Sequence, residues 1–360
     1  MQRVYNFSAG PATLPLEVLE RVQRELVCYE DWGMSVLEIS HRDPRYVEIL
    51  DETTSRIARL LGVSDDFEIL FLQGGSRLQF TMIPMNLLTA GPAQYVLTGT
   101  WGKNSLAEAK KIGAVEVAWD GELDGYSRLP AAEEWTAADG ASYVHITSNE
   151  TIQGVQFAEF PETGDVPVVC DASSDFLSRP MPMSRLGLVY ACAQKNSGPA
   201  GVTLVVIRKE LLKRCRDDLP GYLNYANHAK AGSLWNTPST FGIYVVGLVA
   251  RWLEEEMGGL AAVDRVNREK AAMLYEIIDS SDGFYRGHAR ADCRSLMNVT
   301  FRLDSPEREA SFLAGAQERG MVALKGHRSV GGIRASIYNA MPRAGVERLA
   351  EWMEEFRRRS

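Results

Sequence analysis

Glu68-Ile69-Leu70-Phe71-Leu72-Gln73-Gly74-Gly75-Ser76-Arg77 sets a short apolar strand against a glycine turn, and Leu78 to Leu88 continues as a helix. The pattern then repeats. Gln94-Tyr95-Val96-Leu97-Thr98 reads as a strand, Gly102 to Ile112 as a helix, and Val115-Glu116-Val117-Ala118-Trp119 as a strand. Ser142 to Thr147 and Val166 to Cys170 are further short apolar strands. Two more lie on either side of Lys195, one ending near Cys192 and one running from Val202 to Ile207. Strand–helix alternation of this kind implies an α/β fold with a mostly parallel, seven-stranded sheet flanked by helices.

Upstream, Asn6-Phe7-Ser8-Ala9-Gly10-Pro11-Ala12 is a small-residue loop, and Pro15 opens a helical pattern carrying Val18, Leu19, Val22 and Leu26 on one face. Asp43-Pro44 is a good helix start, an N-cap followed by proline, and that helix stops near Gly62. Downstream, Phe241 to Met257 reads as one long helix, broken by Gly258-Gly259. Beyond it the pieces are a helix through Val266 to Ile278, a strand at Met297 to Phe301, and helices at Pro306 to Arg319 and Gly345 to Arg358. A chain of 360 residues exceeds what one core usually serves. The expected organisation is an N-terminal segment 1–15, a large domain 16–257 and a smaller α+β domain 258–360.

Composition narrows the function. Apolar content of 45% and charged content of 24% are ordinary for a globular protein, and a net charge of -8 argues against a general nucleic-acid binder. Five cysteines, none in a Cys-x-x-Cys pair, suggest reduced thiols and a cytoplasmic location. Met1-Gln2-Arg3-Val4-Tyr5-Asn6 lacks the long apolar run of a secretory leader, and no stretch reads as a membrane span. His145 and His228 lie apart without metal-ligand spacing, so no metal site is expected.

Chemistry gathers around Lys195, in Cys192-Ala193-Gln194-Lys195-Asn196-Ser197-Gly198-Pro199. An ammonium in apolar surroundings has a depressed pKa, and the free amine suits Schiff-base chemistry; a surface lysine at a hairpin tip is the equally open alternative. Asp171 ends an apolar strand, where ligand-contacting groups gather in parallel sheets. It could pair with a protonated pyridine nitrogen or simply cap the following turn. Gly74 to Arg77 offers helix N–H groups to one phosphate, though by themselves the glycines are better explained by a plain tight turn. It is neither a dinucleotide fingerprint nor a Walker loop. Trp101 could stack on a flat cofactor or fill core. Ser40-His41-Arg42, Lys325-Gly326-His327-Arg328 and Arg334 are focused cationic loops, able together to grip a small anionic substrate, while each arginine taken alone is better read as a solvated surface charge.

Taken in order, these stretches resemble the class V, fold-type I pyridoxal-phosphate-dependent aminotransferases, in particular their phosphoserine-forming branch. The resemblance runs from Asn6-Phe7-Ser8-Ala9-Gly10-Pro11 to Ser336-Ile337-Tyr338-Asn339-Ala340. Its most specific parts are Ser40-His41-Arg42, Asn149-Glu150-Thr151-Ile152-Gln153-Gly154, Leu177-Ser178-Arg179-Pro180, Ala193 to Gly201, Asn236-Thr237-Pro238 and Lys325 to Arg328. It implies pyridoxal 5'-phosphate held covalently by Lys195, with Asp171 at the pyridine nitrogen and Trp101 stacked on the ring. Ser76, Arg77 and Gln194 would lie at its phosphate and Thr151 at the ring side. Asn236 and Thr237 would reach the cofactor phosphate of the neighbouring subunit, so a homodimer is implied. His41, Arg42, His327 and Arg328 would face the substrate's distal anion, and Arg334 its α-carboxylate. The implied reaction moves the amino group of L-glutamate to 3-phosphohydroxypyruvate, giving O-phospho-L-serine and 2-oxoglutarate. Some bacterial relatives also serve pyridoxine synthesis through a phosphorylated threonine analogue. The alternative is another class V activity of the alanine– or serine–glyoxylate type, whose substrates would leave the His/Arg pairs surplus. A non-catalytic protein that kept the fold is disfavoured by the intact Asp171, Lys195 and arginine set. Ala9, Ser76 and Gly331-Gly332 depart from the pattern of many relatives.

Overall fold

Seven apolar segments form one sheet in the computed structural model, which describes residues 3–89 and 91–359. Met1, Gln2 and Ser360, the outermost residues of the expected N-terminal segment and small domain, lie outside the described residues, as does Ala90. The strands are β1 (Phe67–Leu72), β2 (Ala93–Leu97), β3 (Val115–Asp120), β4 (Tyr143–Thr147), β5 (Val168–Asp171), β6 (Leu186–Cys192) and β7 (Thr203–Arg208). Their spatial order is β1-β7-β6-β5-β4-β2-β3. β7 runs antiparallel to both β1 and β6, and the remaining pairs are parallel.

The apolar runs are continuous because both faces are covered. Along β6 every residue is buried. Val189 and Ala191 face one layer, with Ile57 and Val246, while Leu188 and Tyr190 face the other, with Phe80 and Tyr95. The first layer includes α2 (Pro44–Leu61) packed on α5 (Thr240–Arg251), with α1 (Leu16–Glu25) at its side. The opposite layer includes α3 (Gly75–Leu87) and α4 (Thr100–Ala109), which begin directly after β1 and β2. Asp43 caps α2 by accepting from Arg45 N–H, and Gly62 ends it in the left-handed conformation, as the sequence signals predict.

Two local readings change. The helix expected from Phe241 to Met257 is α-helical only to Arg251, and Trp252–Glu256 widens into a π-turn before Gly258 and Gly259, both at positive φ. Lys195 lies in a one-turn helix, Ala193–Asn196, rather than in an open turn. The connection between β6 and β7 is nonetheless hairpin-like, since those strands are antiparallel neighbours.

A second core lies beyond Gly259. The strand β9 (Asn298–Arg302) runs between β8 (Arg286–Gly287) and β10 (Ile333–Ser336), all antiparallel. Helices α6 (Leu260–Asp279), α7 (Pro306–Glu318) and α8 (Arg343–Arg359) supply its other apolar faces. Phe301, Phe312 and Trp352 pack there, joined by Phe7 from the chain's start. Tyr5–Asn6 pairs in parallel with Met321–Val322, so the N-terminal segment is stitched to this core. From there it crosses to the large sheet, where Ala12 N–H donates to Gln194 O at 2.9 Å.

Candidate active site

The carboxyl ends of β1, β2, β4, β5 and β6 open on one edge of the sheet, the edge where ligands of parallel sheets are bound. β5 delivers Asp171, which is buried. Its Oδ1 accepts from Ser173 N–H at 2.9 Å, so the carboxylate caps the turn that follows the strand. Burial raises the Asp171 pKa, opposed by the positive charge of Lys195. β6 leads into the one-turn helix that carries Lys195. Burial lowers the Lys195 pKa, and the charge of Asp171 opposes that shift. Asn196 holds the helix from behind, donating to Phe176 O at 2.7 Å and accepting from Asn339 N–H at 3.0 Å.

After β4 the chain folds a tight hairpin, Asn149–Glu150 against Val155–Gln156. Thr151 opens its turn, and Lys195 Nζ donates to Thr151 Oγ1 at 2.8 Å. The Trp101 ring, in the first turn of α4, lies 5.4 Å from Lys195 Nζ and 5.8 Å from the Arg77 guanidinium. Its Nε1 is buried without a hydrogen-bond partner. Among the described residues Arg77 forms no ion pair and is exposed. It stands beside Ser76 at the start of α3, where Gly74 at φ +91 makes the turn. Ser76 is buried; its hydroxyl lies 2.7 Å from Ser173 Oγ and 2.8 Å from Cys192 Sγ. Ser76 N–H reaches only that sulfur, at 3.1 Å, a weak acceptor that an anionic oxygen would outcompete.

The second core brings Arg334 to the same cleft. It lies on β10 opposite Thr300 of β9, whose hydroxyl donates to Gln153 O at 3.0 Å and so ties β9 to the Glu150 hairpin. Arg334 Nε is buried and unpartnered. His327 follows in the glycine-bounded loop. Its Nδ1 accepts from Ser329 N–H at 3.2 Å, which assigns the neutral ring's proton to Nε2. Partial burial, then the charges of Arg334 and Arg328, lower the His327 pKa. The neutral Nε2–H is therefore a donor near neutral pH.

Some expected groups are not brought to Lys195 within one chain. His41 is buried and Arg42 exposed just before α2, and among the described residues neither side chain hydrogen-bonds to the rest of the site. Asn236 Nδ2 donates weakly to Gln73 Oε1 at 3.4 Å, placing Asn236 and Thr237 along the flank of the Gly74 turn. Gln194 is half-buried beside Lys195.

Sequence reasoning missed Glu150, Ser173 and Asn196. Glu150 is fully buried, its carboxyl held by the first N–H groups of α4. Burial pushes its pKa up to about 7. The acid sits in a stretch quoted for its pattern, but nothing local marks it as buried; only the hairpin does.

These residues fit pyridoxal phosphate. A flat aromatic can face the Trp101 ring, a pyridine nitrogen can meet Asp171, an aldehyde carbon can meet Lys195, and a phosphate can replace the sulfur at Ser76 N–H. Among the described residues no His/Cys/Asp/Glu cluster could hold a metal, and no helix is long and apolar enough to cross a membrane.

Residues 4–349 match the family described as Aminotransferase class-V. The phosphoserine aminotransferase of Rhodopirellula baltica is 57% identical over 99% of this chain and 95% of its own length. The solved phosphoserine aminotransferase from Bacillus circulans subsp. alkalophilus superposes with a TM-score of 0.97 at 51% identity, covering 100% of this chain and 99% of that one. The pyridoxal-phosphate-bound phosphoserine aminotransferase from Trichomonas vaginalis gives a TM-score of 0.92 at 40% identity, over 98% of this chain and 100% of that one. An alanine–glyoxylate aminotransferase from Nostoc, at 14% identity and a TM-score of 0.74, shares the fold alone. A family match over nearly the whole chain, and relatives above half identity, meet a site that fits the cofactor: this chain belongs to the class-V aminotransferases.

Proposed function

We propose that the chain is a pyridoxal-phosphate-dependent transaminase that moves the amino group of L-glutamate to 3-phosphohydroxypyruvate, forming O-phospho-L-serine and 2-oxoglutarate. The observation that carries this reading is the convergence of Asp171, Thr151 and Trp101 on Lys195, with Arg334 and His327 across the cleft. Bound pyridoxal phosphate supplies an electron sink for charge developing at the substrate Cα. Lys195, with its pKa lowered by burial, provides a free amine as nucleophile and then moves the proton at Cα. Thr151 aims that amine by accepting from Nζ. Asp171 presents a buried carboxyl to the pyridine nitrogen, and Trp101 covers the ring face. Ser76, Arg77 and Gln194 bind the cofactor phosphate.

Arg334 takes the α-carboxylate in a bidentate grip, and His41, Arg42, His327 and Arg328 take the distal anion. That anion is a carboxylate in one half-reaction and a phosphate in the other; N–H donors serve both. Asn236 and Thr237 complete the cofactor phosphate site of the partner in a homodimer, and the reaction runs in the cytoplasm. The unit boundaries proposed are 1–15 as a strap over the site, 16–257 as the cofactor-binding domain and 258–360 as the small domain.

The test is a half-reaction read by visible absorbance. Phosphoserine should convert the wild-type spectrum in a single turnover, and Lys195→Ala should lack the absorbance that depends on the lysine linkage and fail to complete the conversion. Conversion with alanine or serine, and none with phosphoserine, would assign the glyoxylate-type activity instead.

A further inference from the structure

Glu150 is a buried acid with a defined job in the apolar interior. Its Oε2 accepts from Trp101 N–H at 3.0 Å and its Oε1 from Gly102 N–H at 2.9 Å. Both donors belong to the first turn of α4, which has no side-chain cap of its own. Gln153, from the same hairpin, adds a second grip: Thr100 N–H donates to its Oε1 at 3.3 Å, and its Nε2 donates to Thr100 Oγ1 at 2.8 Å. A carboxylate at a helix start satisfies free N–H groups and meets the positive end of the helix dipole. Gly99 makes the approach possible: a Cβ there would lie 2.5 Å from Glu150 Cδ and 2.7 Å from Gln153 Oε1. The titratable groups whose charges reach Glu150 are Asp171 and Lys195 within the site and Tyr126 farther along.

The residue held by this clamp is Trp101. The residue after Glu150 is Thr151, the partner of Lys195. One hairpin therefore fixes both the ring face and the lysine. We propose that Glu150 is a positioning residue for the cofactor, acting through the backbone of α4 to set the Trp101 ring against the space above Asp171. The inference rests on the reading that Trp101 faces the cofactor ring.

The experiment measures the dissociation constant of pyridoxal phosphate by visible absorbance for wild type, Glu150→Gln, Trp101→Ala and the double variant. Glutamine keeps the shape but offers one acceptor where two are needed, so Glu150→Gln should weaken binding about tenfold or more. The double variant should bind no worse than Trp101→Ala, because the two N–H groups that Glu150 holds belong to Trp101 and its neighbour Gly102. The pH midpoint of the bound cofactor's absorbance should also shift in Glu150→Gln, which a merely structural defect would not produce. Gly99→Ala, which pushes the carboxyl away while keeping it, should reproduce the weakened binding and guards against misfolding of the first variant. Unchanged affinity in both Glu150→Gln and Gly99→Ala, or additive losses in the double variant, would overturn the proposal. Unchanged affinity in Trp101→Ala would instead overturn the stacking role on which it rests.

Discussion

At the scale of single residues, burial decides the chemistry of the charged groups. Glu150 shows this most directly. Its pKa rises from the model-compound 4.5 to about 7, so the folded protein holds a proton that the unfolded chain releases. Its contribution to stability is therefore complete below pH 4.5 and is lost as the pH rises through 7, by about 3 kcal/mol. Chemical denaturation of the cofactor-free protein across that range, wild type minus Glu150→Gln, should show this slope. A flat difference would mean that the two N–H donors keep the acid ionised throughout. Arg42 tests the anion set. Arg42→Ala should weaken phosphohydroxypyruvate more than unphosphorylated 2-oxo acids in steady-state assays, since a guanidinium fork favours the doubly charged group. Equal losses would place Arg42 elsewhere.

At the scale of elements, the turns carry the precision. Gly74 sits at φ +91, and a Cβ there would lie 2.5 Å from Leu78 Cδ2 and 2.8 Å from Leu78 Cβ. Gly74→Ala should cost about 1–3 kcal/mol and lower the thermal midpoint, with weaker cofactor binding because Ser76 moves with the start of α3. The strand ends and most helices were legible in the sequence, because a doubly covered sheet demands apolar runs, and Asp43-Pro44 marks the start of α2. Lys195 and Asp171 were legible because each closes such a run. Glu150 was not, because its partners are backbone N–H groups of an element about fifty residues earlier. The π-turn at Trp252–Glu256 was also hidden, since Trp252 and Leu253 extend the apolar face of α5 into it and nothing local marks the change of pitch. His327 could be picked out by its loop, but its tautomer needed the position of Ser329.

At the scale of the whole molecule, two cores meet at one cleft, and specific links hold them together. Lys270 of α6 is buried, and its ammonium donates to the carbonyls of Ile337, Tyr338 and Met341 at 3.0, 2.8 and 3.2 Å. Asn339, within that loop, donates to Leu177 O at 2.7 Å and meets Asn196. Lys270→Met should strand three carbonyls, each unmet buried acceptor costing about 1–3 kcal/mol, and so lower stability, read by denaturant titration. The proposed dimer carries its own test. If Asn236 serves the partner's cofactor, inactive Lys195→Ala and impaired Asn236→Ala chains, mixed and reassembled, should regain about a quarter of wild-type activity from the hybrid dimers. No recovery would place Asn236 in the site of its own chain.

The pocket is assembled from strand ends scattered between Gly74 and Lys195, and its far wall waits for Arg334 near the end of the chain. That spacing imposes a schedule on biosynthesis. While the chain is still emerging from the ribosome, Lys195 can already be outside with its neighbours on the sheet, yet Arg334, on the far wall of the cleft, has not been made. A growing chain can thus make Lys195 and Asp171 long before Arg334, and the cleft is closed on both sides only when the last few strands have been made.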